Sequence, residues 1–164
     1  MSPEYKNLAF SGSCTALVTP FRSGNIDTEA FCKIVDWQID NGTSTLIPVG
    51  TTGESPTLTH EEHDLVIELC VSQSAGRVPV LAGAGSNSTA EAVRLSKHAQ
   101  AIGASGVLIV TPYYNKPTQR GLYNHFAAIA DAVDIPIIVY DIPGRSIVRI
   151  ADETLEHLVE SFPN

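Results

Sequence analysis

Three features of the sequence predict an α/β fold built on parallel strands: five short β-rich runs, amphipathic patterns between them, and a nearly constant repeat length. The runs cover residues 13–18, 45–49, 78–82, 106–110 and 137–140, and their starts are separated by 32, 33, 28 and 31 residues. A strand and helix repeating every thirty residues or so implies parallel pairing, because parallel neighbours cannot be joined by a tight hairpin and need a crossover.

Each helix carries its own boundary signals. Asp27 stands before the apolar positions Ala30, Phe31, Ile34 and Val35 of the first. Thr59 with Glu62, ahead of Leu65, Val66 and Leu69, and Ser88 with Glu91, ahead of Val93 and Leu95, read as two capping boxes. In such a box hydroxyl and carboxylate satisfy each other's backbone amides. Thr118 and Asp152 read as caps of the fourth and fifth helices, while Gly42, Gly76 and Gly103 fall where the first three should end.

Five βα units fit either an open doubly wound sheet or the first part of a (β/α)₈ TIM barrel, normally about 250 residues long. Polar loops follow the second, third, fourth and fifth strands alike: Gly50-Thr-Thr-Gly-Glu-Ser, Gly83-Ala-Gly-Ser-Asn, Thr111-Pro-Tyr-Tyr-Asn and Asp141-Ile-Pro-Gly-Arg. An open sheet gathers its ligand loops at one switch point, so this distribution favours the barrel. Residues 1–164 are then expected to be the N-terminal part of a single barrel domain, three units short of closure, with the fifth strand left as an unpaired apolar edge and more sequence following Asn164.

Composition narrows the partners. The chain has 164 residues, 43% hydrophobic and 17% charged, with a net charge of −8 and no run of Lys or Arg. That balance excludes a phosphate backbone or an anionic membrane as a partner. No apolar run approaches the roughly 20 residues of a spanning helix, and residues 1–10 show no apolar stretch with a cleavage site, so the cytoplasm is the expected address. Cys14, Cys32 and Cys70 lack C-x-x-C spacing and are expected to be reduced and buried.

The loops carry the candidate chemistry. Gly50 to Ser55 offers backbone amides and the hydroxyls of Thr51 and Thr52 as a cradle for a small carboxylate, or else is a polar turn. It lacks the Lys-Ser/Thr ending of a phosphate loop, and Gly83-Ala84-Gly85 has Ser88 where a dinucleotide fingerprint needs its third glycine. Tyr113 and Tyr114, on a loop bracketed by Pro112 and Pro117, can relay protons, stack, or cover apolar surface. Tyr140 ends the fifth strand, and Arg145 on the short loop beyond it suits bidentate capture of a carboxylate. His60-Glu-Glu-His63 is not H-E-x-x-H, and no metal is expected there. None of Lys6, Lys33, Lys97 and Lys116 ends a strand, so no amine nucleophile is evident.

Taken together, Gly50-Thr-Thr-Gly-Glu-Ser, Thr111-Pro-Tyr-Tyr-Asn-Lys-Pro and Tyr140-Asp-Ile-Pro-Gly-Arg-Ser resemble the dihydrodipicolinate synthase family of pyruvate-dependent class I aldolases, through nearly the whole chain. The resemblance implies condensation of pyruvate with aspartate semialdehyde in lysine (diaminopimelate) biosynthesis, without a cofactor. The Schiff-base lysine is expected at the end of a sixth strand, shortly after Asn164. By the resemblance, Tyr140 is the acid/base at the imine, linked through Thr51 to Tyr114. Thr52 and its loop hold the pyruvate carboxylate, Arg145 the semialdehyde carboxylate. Tyr114's counterpart is donated across a dimer interface, which implies a homodimer or homotetramer. Ser55, His60, His63, Asn87, Glu91 and Tyr113 match positions at which lysine acts as a feedback inhibitor. Asp141 stands where many members have Asn. N-acetylneuraminate and 2-keto-3-deoxy acid lyases share the first and third motifs, and a catalytically incomplete amino-acid-binding half barrel is the reading from another class.

Overall fold

The computed structural model describes residues 10–164. Lys6, and most of the stretch read for a leader, lie outside the described residues. The chain divides into two compact units, one up to Leu81 and one over Ala82–Asn164.

In the first unit β1 (Cys14–Ala16) pairs in parallel with β4 (Thr45–Ile47), the two joined by helix α1 (Thr28–Asp40). Between β1 and α1 lies a small antiparallel hairpin, β2 (Phe21–Arg22) and β3 (Asn25–Ile26), that periodicity did not predict. Its turn has Ser23 at φ 53° and Gly24 at φ 84°, two left-handed residues matching the right-handed twist of a hairpin. Asp27 caps α1, its carboxylate accepting from the Ala30 amide at 3.0 Å. Helix α2 (His60–Ser74) begins with the predicted capping box: the Thr59 hydroxyl accepts from the Glu62 amide at 3.2 Å, and Glu62 accepts from the Thr59 amide at 2.8 Å. Phe31 and Val35 of α1 and Val66, Ile67 and Cys70 of α2 are buried, one turn apart on each helix, with Leu17, Leu46 and Val49. The third strand starts later than expected, as β5 (Leu81–Gly83). Pro79 carries no amide to donate, and Val80 forms an isolated parallel bridge to Leu46 ahead of the strand.

In the second unit the sheet order is β5, β6 (Gly106–Val110), β7 (Ile137–Tyr140), with β6 and β7 parallel from Val107 opposite Ile137 to Val110 opposite Tyr140. Helix α3 (Thr89–Ala101) joins β5 to β6, and α4 (Gln119–Ala130) joins β6 to β7. A four-residue helix α5 (Pro143–Ser146) and α6 (Asp152–Ser161) follow. Thr118 caps α4 as expected, but the second capping box does not form. Ser88 makes no side-chain cap bond; Ser86, two residues earlier, takes the Glu91 carboxylate instead and accepts the Ser88 amide at 3.0 Å. Asp152 is the first residue of α6 rather than its cap, which is Ala151, whose amide reaches Gln119 Oε1 at 2.9 Å. Leu122, Phe126 and Ile129 bury one face of α4, and Val107 and Ile109 fill β6. Strand β7 is the last of its sheet; Ile138 is exposed, and the Ile137 amide donates to the Asn164 carbonyl at 2.9 Å.

The cysteines are free, but only Cys70 is buried; Cys14 is exposed on β1 and Cys32 half-buried on α1. Burial pushes the Cys70 thiol up to about 12 and raises that of Cys32, so both are poor nucleophiles. Among the described residues no helix is long and apolar enough to cross a membrane.

His125 of α4 is buried with Nδ1 2.9 Å from the Thr89 hydroxyl of α3. Loss of solvent lowers its pKa from 6.5 to about 4. The unfolded chain therefore binds the proton first, and stability contributed by neutral His125 is present near pH 7 and lost as pH falls toward 4. Urea midpoints at pH 7 and pH 5 should drop less in His125→Gln than in the parent; an equal drop would show that another group governs the window.

Candidate active site

In the first unit, the loop after β4 turns back on itself. The Gly53 and Ser55 amides donate to the Gly50 carbonyl at 3.0 and 3.4 Å, the Glu54 amide to the Thr51 carbonyl at 3.2 Å. Buried Thr19 donates to the Gly53 carbonyl at 2.8 Å. A Cβ at Gly53 would stand 3.0 Å from the Val49 backbone, so glycine is needed for the close approach. Three amides of the expected carboxylate cradle are thus already bonded within the turn, leaving Thr51 and Thr52, both exposed, as its outward face. Val49 and Glu54, on either side, have φ of 47° and 60°. Beyond them Ser55 is half-buried and opens a 3₁₀ turn, Ser55–Thr57. His60 is exposed at the start of α2, whereas His63 is buried, its Nδ1 3.8 Å from Asp64.

In the second unit, the loops after β5 and β6 are stitched together. The Asn87 side-chain amide donates to the Tyr113 carbonyl at 3.2 Å, and that of Asn115 to the Asn87 carbonyl at 3.0 Å. A Cβ at Gly85 would stand 2.5 Å from the Val110 amide, showing how closely the two backbones pass. Buried Ser86 hydrogen-bonds Glu91, so Asn87, Glu91 and Tyr113 gather at one end of α3. Tyr113 is half-buried, but Tyr114 is 85% exposed and held at φ 72°, with exposed Lys116 at φ 47° two residues on. Tyr114 projects away from the body of its own unit.

Tyr140 closes β7, half-buried, and its carbonyl accepts the Thr111 amide at 3.1 Å. Asp141 turns back along the chain: Oδ1 accepts the Ile150 amide at 3.3 Å, and Oδ2 lies 4.0 Å from Arg149 Nε. A carboxylate here therefore closes the following loop. Arg145 is exposed on α5, followed by buried Ser146 and by Ile147 at φ 72°. Thr111, Ser146, Ser86 and Asn115 form bonds that sequence patterns did not single out, because a small hydroxyl or amide in a loop has no periodicity. The described lysines Lys33, Lys97 and Lys116 are all exposed, and none ends a strand. Among the described residues no group of three or more His, Cys, Asp and Glu is placed to hold a metal ion.

Parallel strands joined by helical crossovers, with polar residues on the loops after several strands, fit the α/β barrel class. The chain belongs to the dihydrodipicolinate synthetase family, which matches residues 9–164. It is 64% identical over 152 residues to the 4-hydroxy-tetrahydrodipicolinate synthase of Rhodopseudomonas palustris (strain BisA53), covering 93% of this chain and 51% of that protein. The crystal structure of dihydrodipicolinate synthase from Aquifex aeolicus superposes with a TM-score of 0.93 and 54% identity, covering 94% of this chain and 53% of the other. A crystal structure of the Cyanidioschyzon merolae protein with lysine bound gives 0.93 and 42%, covering 96% and 54%. The fold is that of part of a TIM barrel, and the chain spans about half the length of the relatives it matches.

Proposed function

We propose that these residues are the N-terminal part of a single TIM-barrel domain in a cytoplasmic lyase that condenses pyruvate with aspartate semialdehyde, a step of lysine biosynthesis. The observation that carries this reading is the 64% identity over 152 residues, 93% of this chain, to a 4-hydroxy-tetrahydrodipicolinate synthase. In the proposed chemistry a lysine amine outside residues 1–164 adds to the pyruvate ketone and expels water as an imine. Loss of a methyl proton gives an enamine, whose carbon attacks the aldehyde.

Within that scheme Tyr140 takes and returns protons at the imine, and Thr51 and Tyr114 complete its relay. A phenol ordinarily titrates near 10, so it exchanges protons at neutral pH only within a hydrogen-bonded chain. Thr52 and the remaining free face of its loop receive the pyruvate carboxylate, and Arg145 clamps the semialdehyde carboxylate through its planar fork. The exposure of Tyr114 supports its donation to a partner subunit, with a homodimer or homotetramer as the working unit. Its backbone is left-handed, at φ 72°.

Two kinetic outcomes test the reading in the intact protein. Tyr140→Phe should lower kcat by roughly 10² or more with the fold retained. Arg145→Ala should raise KM for the semialdehyde well above any change for pyruvate. Unchanged kcat, or equal shifts in both KM values, would remove these residues from their roles.

We also propose that lysine inhibits the protein through Ser55, His60, His63, Asn87, Glu91 and Tyr113. A relative with lysine bound supports this, as does the gathering of Asn87, Glu91 and Tyr113, where a carboxylate and carbonyl oxygens suit an ammonium group. Glu91→Ala should relieve inhibition by millimolar lysine while turnover without lysine persists; a parent protein insensitive to lysine would refute the site.

A further inference from the structure

Arg145 sits on a helix of four residues, too short to hold its own position. The amides of Arg145 and Ser146 both donate to the Ile142 carbonyl, and that of Ile147 to Pro143, each at 2.9 Å. Ile147 then adopts φ 72°, a region that β-branched residues avoid because Cβ meets the backbone. Something outside the turn must hold it.

Two fully buried hydroxyls do so. Thr111 and Ser146 are each 0% exposed, with Oγ1 3.0 Å from Oγ. Ser146 Oγ also lies 3.1 Å from the Ile142 carbonyl and 2.9 Å from that of Val148. Carbonyls only accept, so the single Ser146 proton goes to them and Thr111 must donate its own to Ser146. Ser146 thereby grips the chain on both sides of Ile147. Thr111 anchors that grip to the end of β6, and its amide bonds the Tyr140 carbonyl at 3.1 Å. One residue holds both the end of β7 and the turn carrying Arg145.

We propose that Thr111 and Ser146 are positioning residues that fix Arg145 relative to Tyr140, and so set affinity for the carboxylate of the second substrate. The inference rests on the condensation proposed above. Neither hydroxyl reaches solvent, so neither touches substrate.

The test uses the intact protein with Thr111→Val, which keeps shape but removes the donated proton, Thr111→Ser, which restores it, and Ser146→Ala as a second way to break the bond. Both hydroxyl-removing variants should raise KM for the semialdehyde about tenfold, with KM for pyruvate changed less than twofold. Amide exchange at Arg145, Ser146 and Ile147 should accelerate at least tenfold, and Thr111→Ser should stay near the parent in both measurements. Unchanged exchange would overturn the latch. Faster exchange with an unaltered KM would overturn its role in positioning Arg145. A parent protein that turns over neither substrate would instead sink the proposed reaction, and exchange would still decide whether the latch exists.

Discussion

A parallel strand cannot pass directly to its neighbour, and everything else in this chain follows from that constraint. Each return to the start of the sheet takes a helix, so β1 and β4 are separated by α1, and β6 and β7 by α4. Paired parallel strands also end at the same side of their sheet. The loops after β6 and β7 therefore emerge together, which is what lets Thr111 bond both Tyr140 and Ser146. The apolar faces of the helices hold the strands in register, and the strand ends become fixed platforms for loops.

Strain collects on those loops. Val49, Glu54, Tyr114, Lys116 and Ile147 all have positive φ, and each lies on a segment that follows a strand. Left-handed backbone at a residue other than glycine costs on the order of 1–3 kcal/mol, and it persists where the surroundings over-determine it. Here the surroundings are visible: Thr19 bonds the Gly53 carbonyl, Asn87 and Asn115 stitch the Tyr113 loop, and Ser146 brackets Ile147. The same residues hold the side chains to which the proposed chemistry is assigned.

Much of the fold was legible because it depends on local rules. Hydrophobic periodicity placed β6 and β7 to the residue, and Asp27, Thr59 and Thr118 each cap a helix as their chemistry dictates. The misreadings arose where a tertiary or neighbouring partner competed. Ser88 and Glu91 have capping-box spacing, yet Ser86 offered Glu91 a better partner. The tight hairpin at Ser23-Gly24 has strands of two residues, too short for alternation to register. Cys14 looked like a core thiol because it lies in an apolar strand, but that face of β1 is open. At the candidate site, distinctive clusters such as Tyr113-Tyr114 and Gly144-Arg145 drew notice, while Thr111 and Ser146 are two common residues whose pairing depends on the fold.

The central proposal is that this chain supplies the proton-handling and carboxylate-binding part of an aldolase, with the imine-forming amine on a lysine outside residues 1–164. Reduction of the intact protein with borohydride in the presence of pyruvate, followed by peptide mass mapping, tests it most directly. The account predicts one reduced pyruvate adduct per chain, on a lysine outside residues 1–164. An adduct on Lys6, Lys33, Lys97 or Lys116, or no adduct at all, would contradict it.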